Sequence, residues 1–176
     1  MAFAPSRLAL ARQRRCFTKQ ALAAKSGLST RLLGQLEQGE AQPSEHQLDS
    51  LAAALVFPRG FFLQSDLEAI APARVSFRSM ASMSQRRRDA VLAAASIAVA
   101  VNMRIETSFH LPKPNLLDLA GEAPESAAAS LRAHWGIGVL TASNMVHLLE
   151  SRGVRAFSLA EDCCEVDAFA FWDGPT

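Results

Sequence analysis

The sequence predicts a mainly α-helical chain. Five short helices occupy residues 1–65, and a helical α+β region follows, with one long Ala/Val-rich helix and a small C-terminal β-hairpin. Three observations carry this reading. Before residue 65, leucines, alanines and phenylalanines recur at helical spacing, punctuated by Ser, Thr, Gly and Pro where helices start and stop. Ser84 to Phe109 is the longest periodic segment. Val166 to Trp172 alternates as a strand does.

Composition sets the bounds. At 176 residues the chain forms one domain or two small ones, and 49% hydrophobic with 20% charged residues is ordinary for a soluble globular protein. The net charge of +1 conceals an asymmetry. Residues 1–65 hold eight Lys/Arg against four Asp/Glu, a net of +4, and the remainder holds ten against thirteen, a net of −3. A basic N-terminal part on a mildly acidic remainder fits a DNA-binding domain joined to a different module. The longest nearly unbroken apolar run, Ala90 to Val101, is well short of the ~20 residues that span a bilayer. No apolar run precedes the first arginines, so no signal peptide is expected. Cys16, Cys163 and Cys164 form neither a disulfide framework nor a zinc spacing, which favours a reducing, cytoplasmic setting. Glu161, Asp162 and Glu165 beside the cysteine pair disfavour the thiolate that redox sensing needs.

The N-terminal helices follow in order. Pro5-Ser6 opens the first, with Leu8, Leu10 and Ala11 apolar. Arg12, Arg14 and Arg15 cluster near its C-terminal end, where cations complement the helix dipole or meet phosphate. Thr18 caps a second helix with Ala21, Leu22 and Ala23 on its apolar face. Gly27 fills the turn, where a positive φ is free of Cβ clash for glycine, and Leu28 plugs the turn into the core. Ser29 caps a third helix, Thr30 to Gln38, which Gly39 ends. Leu32, Leu33 and Leu36 face inward on it, leaving Thr30, Arg31, Gly34, Gln35 and Gln38 outward. Such an outward face suits a helix in the major groove of double-stranded DNA: Arg pairs with guanine, Gln with adenine, and Gly allows close approach. Ser44 and Gln47 resemble a capping box for a fourth helix carrying Leu48, Leu51, Ala52 and Leu55. Beyond Pro58, Phe61, Phe62 and Leu63 read as a short closing helix.

Phe17-Thr18, Leu22-Ala23, Gly27-Leu28-Ser29, Leu36-Glu37-Gln38-Gly39, Pro43-Ser44 and Leu51 to Leu55 stand in a characteristic order and spacing. On these residues, Arg7 to Leu55 resembles the phage-repressor type of helix-turn-helix, the Xre/Cro family. The resemblance implies a five-helix, lambda-repressor-like domain. Thr30, Arg31 and Gln35 are then expected to read bases. Lys19, Ser29, Gln38 and one or more of Arg12, Arg14 and Arg15 are expected to hold phosphates. Arg12 and Glu37 match positions that form a buried ion pair tying the first helix to the end of the recognition helix. The chain departs from the family at Lys19, where Gln is usual: Lys holds a phosphate or a guanine but cannot make the amide's two-way contact.

Residues 66–74, with Pro72, read as a linker to a regulatory or dimerisation region over 75–176. Arg86, Arg87 and Arg88 sit in the first turn of the long helix, against its dipole, and serve as a solvated charge run or meet a partner anion. Ala90 to Val101 is apolar on all sides, as in a central core helix or a close-packed dimer helix. His110 to Leu119 is a connector. Ser126 to Trp135 and Thr141 to Ser151 read as amphipathic helices, the second with Val146, Leu148 and Leu149 inward and Gly153 at its end. Val154 to Leu159 is expected to be a strand, joined through the acidic turn Glu161 to Glu165 to its hairpin partner, Val166 to Trp172.

Val75-Ser76-Phe77-Arg78, the Leu148-Leu149-Glu150-x-x-Gly153-Val154 turn and Asp167-Ala168-Phe169-x-Phe171-Trp172 are similar to the segment preceding the catalytic motif in ImmA/IrrE-type regulators. Those proteins fuse an Xre-like domain to a zinc-peptidase-like domain, so the resemblance implies an H-E-x-x-H helix after the last strand. The sequence through Thr176 has none. His46, His110, His134 and His147 lack i, i+4 spacing, and none precedes a usable Glu. The region therefore reads as an incomplete domain of that type, with no catalytic residue, metal or other cofactor, and the chain is not expected to be an enzyme. Neither a P-loop, a G-x-G-x-x-G nor a G-x-S-x-G is present. The expected function is a sequence-specific transcriptional repressor or autoregulator, a homodimer on double-stranded DNA with no membrane partner. The alternative is an antitoxin-like or peptidase-linked regulator whose C-terminal part binds a protein partner or small effector.

Overall fold

A computed structural model of the chain describes residues 2–72, 75–79, 84–158 and 166–172. The order is α1 (Pro5–Arg14), α2 (Lys19–Ser26), α3 (Thr30–Gln38), α4 (Glu45–Leu55), a 3-10 turn (Arg59–Leu63), β1 (Val75–Ser79), α5 (Gln85–Glu106), α6 (Pro124–His134), α7 (Met145–Ser151) and β2 (Val166–Phe171). The chain is mainly helical with a small antiparallel sheet, as the sequence predicts. It divides into two compact units, Met1–Val101 with Leu159–Thr176, and Asn102–Ser158.

The N-terminal helices are 8 to 11 residues long, too short to persist alone in water. Burial holds them. Leu8, Leu22, Leu33, Leu36, Leu51, Leu55 and Phe62 are fully buried in one core, each stabilising by about 1.5–3 kcal/mol. Side-chain caps set where three helices begin. Thr18 Oγ1 accepts from the Ala21 N–H at 3.0 Å, Ser29 Oγ from the Leu32 N–H at 3.2 Å, and Ser44 with Gln47 completes a capping box. Gly27, at φ +71°, makes the turn between α2 and α3.

The helix ends reuse one closure. At Gly39 (φ +75°) the Glu40 N–H donates to Gln35 O at 2.9 Å, the left-handed cap that favours glycine. The same closure follows α1 and α4 without glycine. Cys16 (φ +54°) and Val56 (φ +56°) take the left-handed position, with Phe17 N–H to Arg12 O at 3.0 Å and Phe57 N–H to Ala52 O at 3.1 Å. Phe17 and Phe57 pack against the core, and that contact holds both residues in a conformation L side chains resist. Arg15 reinforces the end of α4, donating from Nε to Leu55 O (2.8 Å) and from Nη2 to Val56 O (3.1 Å) over the Phe57 ring.

The sheet corrects the expected hairpin. β2 lies where the alternation predicts it, but it pairs antiparallel with β1, in the register Val75↔Phe171, Ser76↔Ala170, Phe77↔Phe169. The described part of the other expected strand, 154–158, has no regular structure. It is engaged elsewhere instead: the Val154 N–H closes α7 on Leu149 O at 3.1 Å, and the Arg155 side chain donates to Asn102 Oδ1 on α5 (3.0 Å) and to Pro112 O in the connector (3.0 Å). The acidic turn and the Cys163-Cys164 pair lie outside the described residues.

Ala90, Val91, Ala93, Ala95 and Ser96 are buried around much of the circumference of α5, a core role for its first half, whereas Val101, Met103 and Ile105 are exposed. In the unit Asn102–Ser158, Trp135 is the buried anchor. Its Nε1 donates to Asn115 O at 2.8 Å, and Arg152 stacks on its ring and donates to its carbonyl. Gly153 (φ +85°) lies against the 113–114 backbone so closely that a Cβ would stand 2.3 Å from Lys113 C and O. α7 starts at Met145, later than expected, because Asn144 Oδ1 caps the His147 N–H at 3.0 Å. With that start Val146 is 49% exposed, correcting its expected inward position, while Leu148 and Leu149 are half-buried.

Candidate nucleic-acid interface

The site is the outward side of α2 and α3. At about 3.6 residues per turn, Leu33 and Leu36 point into the core, and Thr30, Gly34, Gln38, Arg31 and Gln35 follow one another around the opposite arc. Thr30, Arg31 and Gln38 are exposed and Gln35 is half-buried; none of these four side chains makes a hydrogen bond or ion pair among the described residues. A row of unpaired donors and acceptors on a short, rigid helix can satisfy itself on an external polar surface.

What holds α3 in place lies at the flank of that row, next to Thr30 on the helix. Arg12 Nε meets Glu37 Oε1 at 2.6 Å and Arg12 Nη2 meets Glu37 Oε2 at 3.1 Å, a bidentate pair. The Arg12 and Glu37 side chains are only 15% and 7% exposed. Arg12 Nη1 also donates to Phe17 O at 3.0 Å, fastening the loop that leads into α2. The second Glu37 oxygen takes a further cation, with Lys19 Nζ 3.3 Å from Oε2. One carboxylate on α3 thus binds cations from α1 and α2.

The other basic residues divide by task. Arg15 is engaged with the α4 carbonyls. Arg14 is half-buried with no side-chain partner among the described residues, which leaves it available to an anion. Ser29 is exposed; its oxygen caps α3 as acceptor and its hydroxyl proton remains to donate. Lys25 lies over the Phe17 ring at 5.2 Å.

Sequence reasoning missed three features. Lys19 is tied to Glu37. Arg15 serves the end of α4. Arg7 is buried, donating from Nε to Ser65 O at 2.5 Å over the Phe61 ring. Burial pushes the Arg7 pKa down from the usual arginine range, and the Asp66 carboxylate opposes that shift. No local pattern around Arg7 or Arg15 marks such contacts, because their partners lie 40 or more residues away.

Among the described residues no group of three or more His, Cys, Asp or Glu could hold a metal ion, and no helix is long and apolar enough to cross a membrane. Residues 6–60 match the family model of a helix-turn-helix domain, a span that runs from the second residue of α1 through α4 and holds the whole outward row. No curated protein matches the chain. The chain thus carries a helix-turn-helix domain, which supports a DNA-binding regulator.

Proposed function

We propose that the protein is a sequence-specific transcriptional regulator of the Xre type, a repressor or autoregulator, that reads the major groove of double-stranded DNA as a homodimer. The observation that carries the reading is the unpaired polar row on α3, backed by the Arg12–Glu37 pair. Thr30, Arg31 and Gln35 read base edges, with Arg31 suited to guanine and Gln35 to adenine. Ser29, Gln38 and Arg14 hold phosphates, and Lys19 stands at the edge of the row. Arg12 and Arg15 act from outside that row, keeping α1, α3 and α4 in register. Two recognition helices one helical turn apart would meet successive major grooves. In this reading residues 1–65 form the DNA-binding domain, 66–74 the linker and 75–176 a regulatory or dimerisation region related to ImmA/IrrE-type domains, without catalysis.

A second reading, an antitoxin-like role for the C-terminal part, draws support from Val139, Leu140 and Met145, large apolar side chains exposed on the unit Asn102–Ser158. A protein partner would cover them.

Fluorescence anisotropy on DNA from upstream of the protein's own gene, against scrambled DNA and across a salt series, tests the first reading. Tight, sequence-dependent binding that weakens with salt is expected, and the slope counts the phosphate contacts. No binding at low salt would overturn the reading and favour the protein-partner role.

A further inference from the structure

Gly34 is out of place by every local rule. It sits in the interior of a nine-residue helix, where glycine is less favourable than alanine because it loses more backbone freedom. Its backbone is helical, so no positive φ requires it. Space does not require it either. A Cβ at Gly34 would meet one atom outside its own helix backbone and chain neighbours within 4 Å, Lys19 Nζ at 4.0 Å, an ordinary contact. Nothing in the fold asks for glycine at this position.

The same geometry places a cation beside the gap. Lys19 Nζ, drawn in by Glu37 Oε2 at 3.3 Å, stands next to the bare Cα of Gly34, and the Lys19 side chain remains 37% exposed. Gly34 falls on the outward arc of α3 between Thr30 and Gln38. The ammonium of an α2 residue therefore stands at the edge of the row that α3 presents, beside Gly34.

We infer that Gly34 and Lys19 form one specificity-determining element: the missing side chain lets α3 approach the base edges closely, and Lys19 reaches through that gap to the O6 and N7 acceptors of a guanine. Glu37 is a positioning residue, holding the ammonium at the gap. Arg31 and Lys19 would then give each half-site two guanine contacts, one from each helix of the motif. This inference rests on the DNA-binding reading above.

The test is selection from a fully randomised duplex library by the full-length wild type, Lys19→Ala and Gly34→Ala, followed by binding of the enriched sequence and a thermal melt of each protein. The wild type is expected to enrich a motif with a guanine that Lys19→Ala no longer selects, a preference falling by roughly tenfold at that position while the others persist. Gly34→Ala is expected to melt at the same or a higher temperature yet bind the enriched motif roughly tenfold more weakly, a split that a structural role for Gly34 would not produce. Uniform weakening by Lys19→Ala with every base preference intact would overturn the inference and place Lys19 on a phosphate. So would wild-type affinity in Gly34→Ala. If the wild type enriches no motif, the DNA-binding reading itself falls, and this inference with it.

Discussion

Arg12 and Glu37 join α1 to the end of α3 through two hydrogen bonds, 2.6 and 3.1 Å long, across 25 residues of sequence. Lys19 shares the same carboxylate, so the three charges are not equivalent. Glu37→Ala strands a largely buried guanidinium, whereas Arg12→Ala leaves Glu37 with Lys19. Removing one partner of a buried pair costs about 3–5 kcal/mol. Urea unfolding of the full chain is therefore expected to show a loss of that size for Glu37→Ala and a smaller one for Arg12→Ala. Equal losses, or the reverse order, would mean that Lys19 gives Glu37 no effective compensation.

Val56 and Gly39 occupy the same left-handed cap position on two helices. A β-branched residue there is strained by about 1–2 kcal/mol, and Val56 is 74% exposed, so its side chain gains little burial in return. Val56→Gly is expected to stabilise the protein by about 1 kcal/mol, and Gly39→Ala to destabilise it by about the same amount. Opposite signs in thermal or urea melts are the signature. A destabilised Val56→Gly would show that the exposed valine makes a contact worth more than its strain.

Arg31 is exposed with no side-chain partner among the described residues, so its loss should leave the fold untouched. On DNA, Arg31→Ala is expected to cost about 1–3 kcal/mol and to relax discrimination at one base pair. Competition binding against single-position variants of the preferred site measures this. Equal weakening on every sequence would instead put Arg31 on the backbone.

Gly153 combines φ +85° with backbone contact to Lys113 and Pro114. In Gly153→Ala the added carbon meets main-chain atoms that no rotamer change can move aside. Strain and overpacking together should cost about 3 kcal/mol or more. Trp135, buried in the same unit, reports it: in a Trp172→Phe background its emission should shift to the red and the 102–158 segment should become protease-sensitive. Unchanged emission and protection would mean that the connector yields without cost.

Much of the helical framework could be read directly. Thr18, Ser29 and Ser44 marked helix starts, Gly27 and Gly39 marked the turn and the end of α3, and the leucine spacing marked the core. The outward row on α3 follows from the same periodicity, since naming the buried leucines names what remains. Elsewhere the reading failed where two local patterns competed. Val154 to Leu159 has strand composition beside the true strand β2, and nearness in sequence favoured pairing them. Val146 lies within an apolar run, and a run has no marker for which of its residues tertiary packing leaves exposed.

The sequence by itself determined the four N-terminal helices, the Thr18, Ser29 and Ser44 caps, the glycine turn and the residues facing out from α3, because these depend on hydrogen bonds and spacings within a few residues. Tertiary structure alone decided the rest. It paired Val75–Ser79 with Val166–Phe171, buried Arg7 on Ser65 and Phe61, placed Arg15 on the end of α4 and drew Lys19 to Glu37 beside Gly34. Strand pairing and charge pairing have no period that marks their partners along the chain; the partners are chosen by which groups the packed core brings within hydrogen-bonding reach.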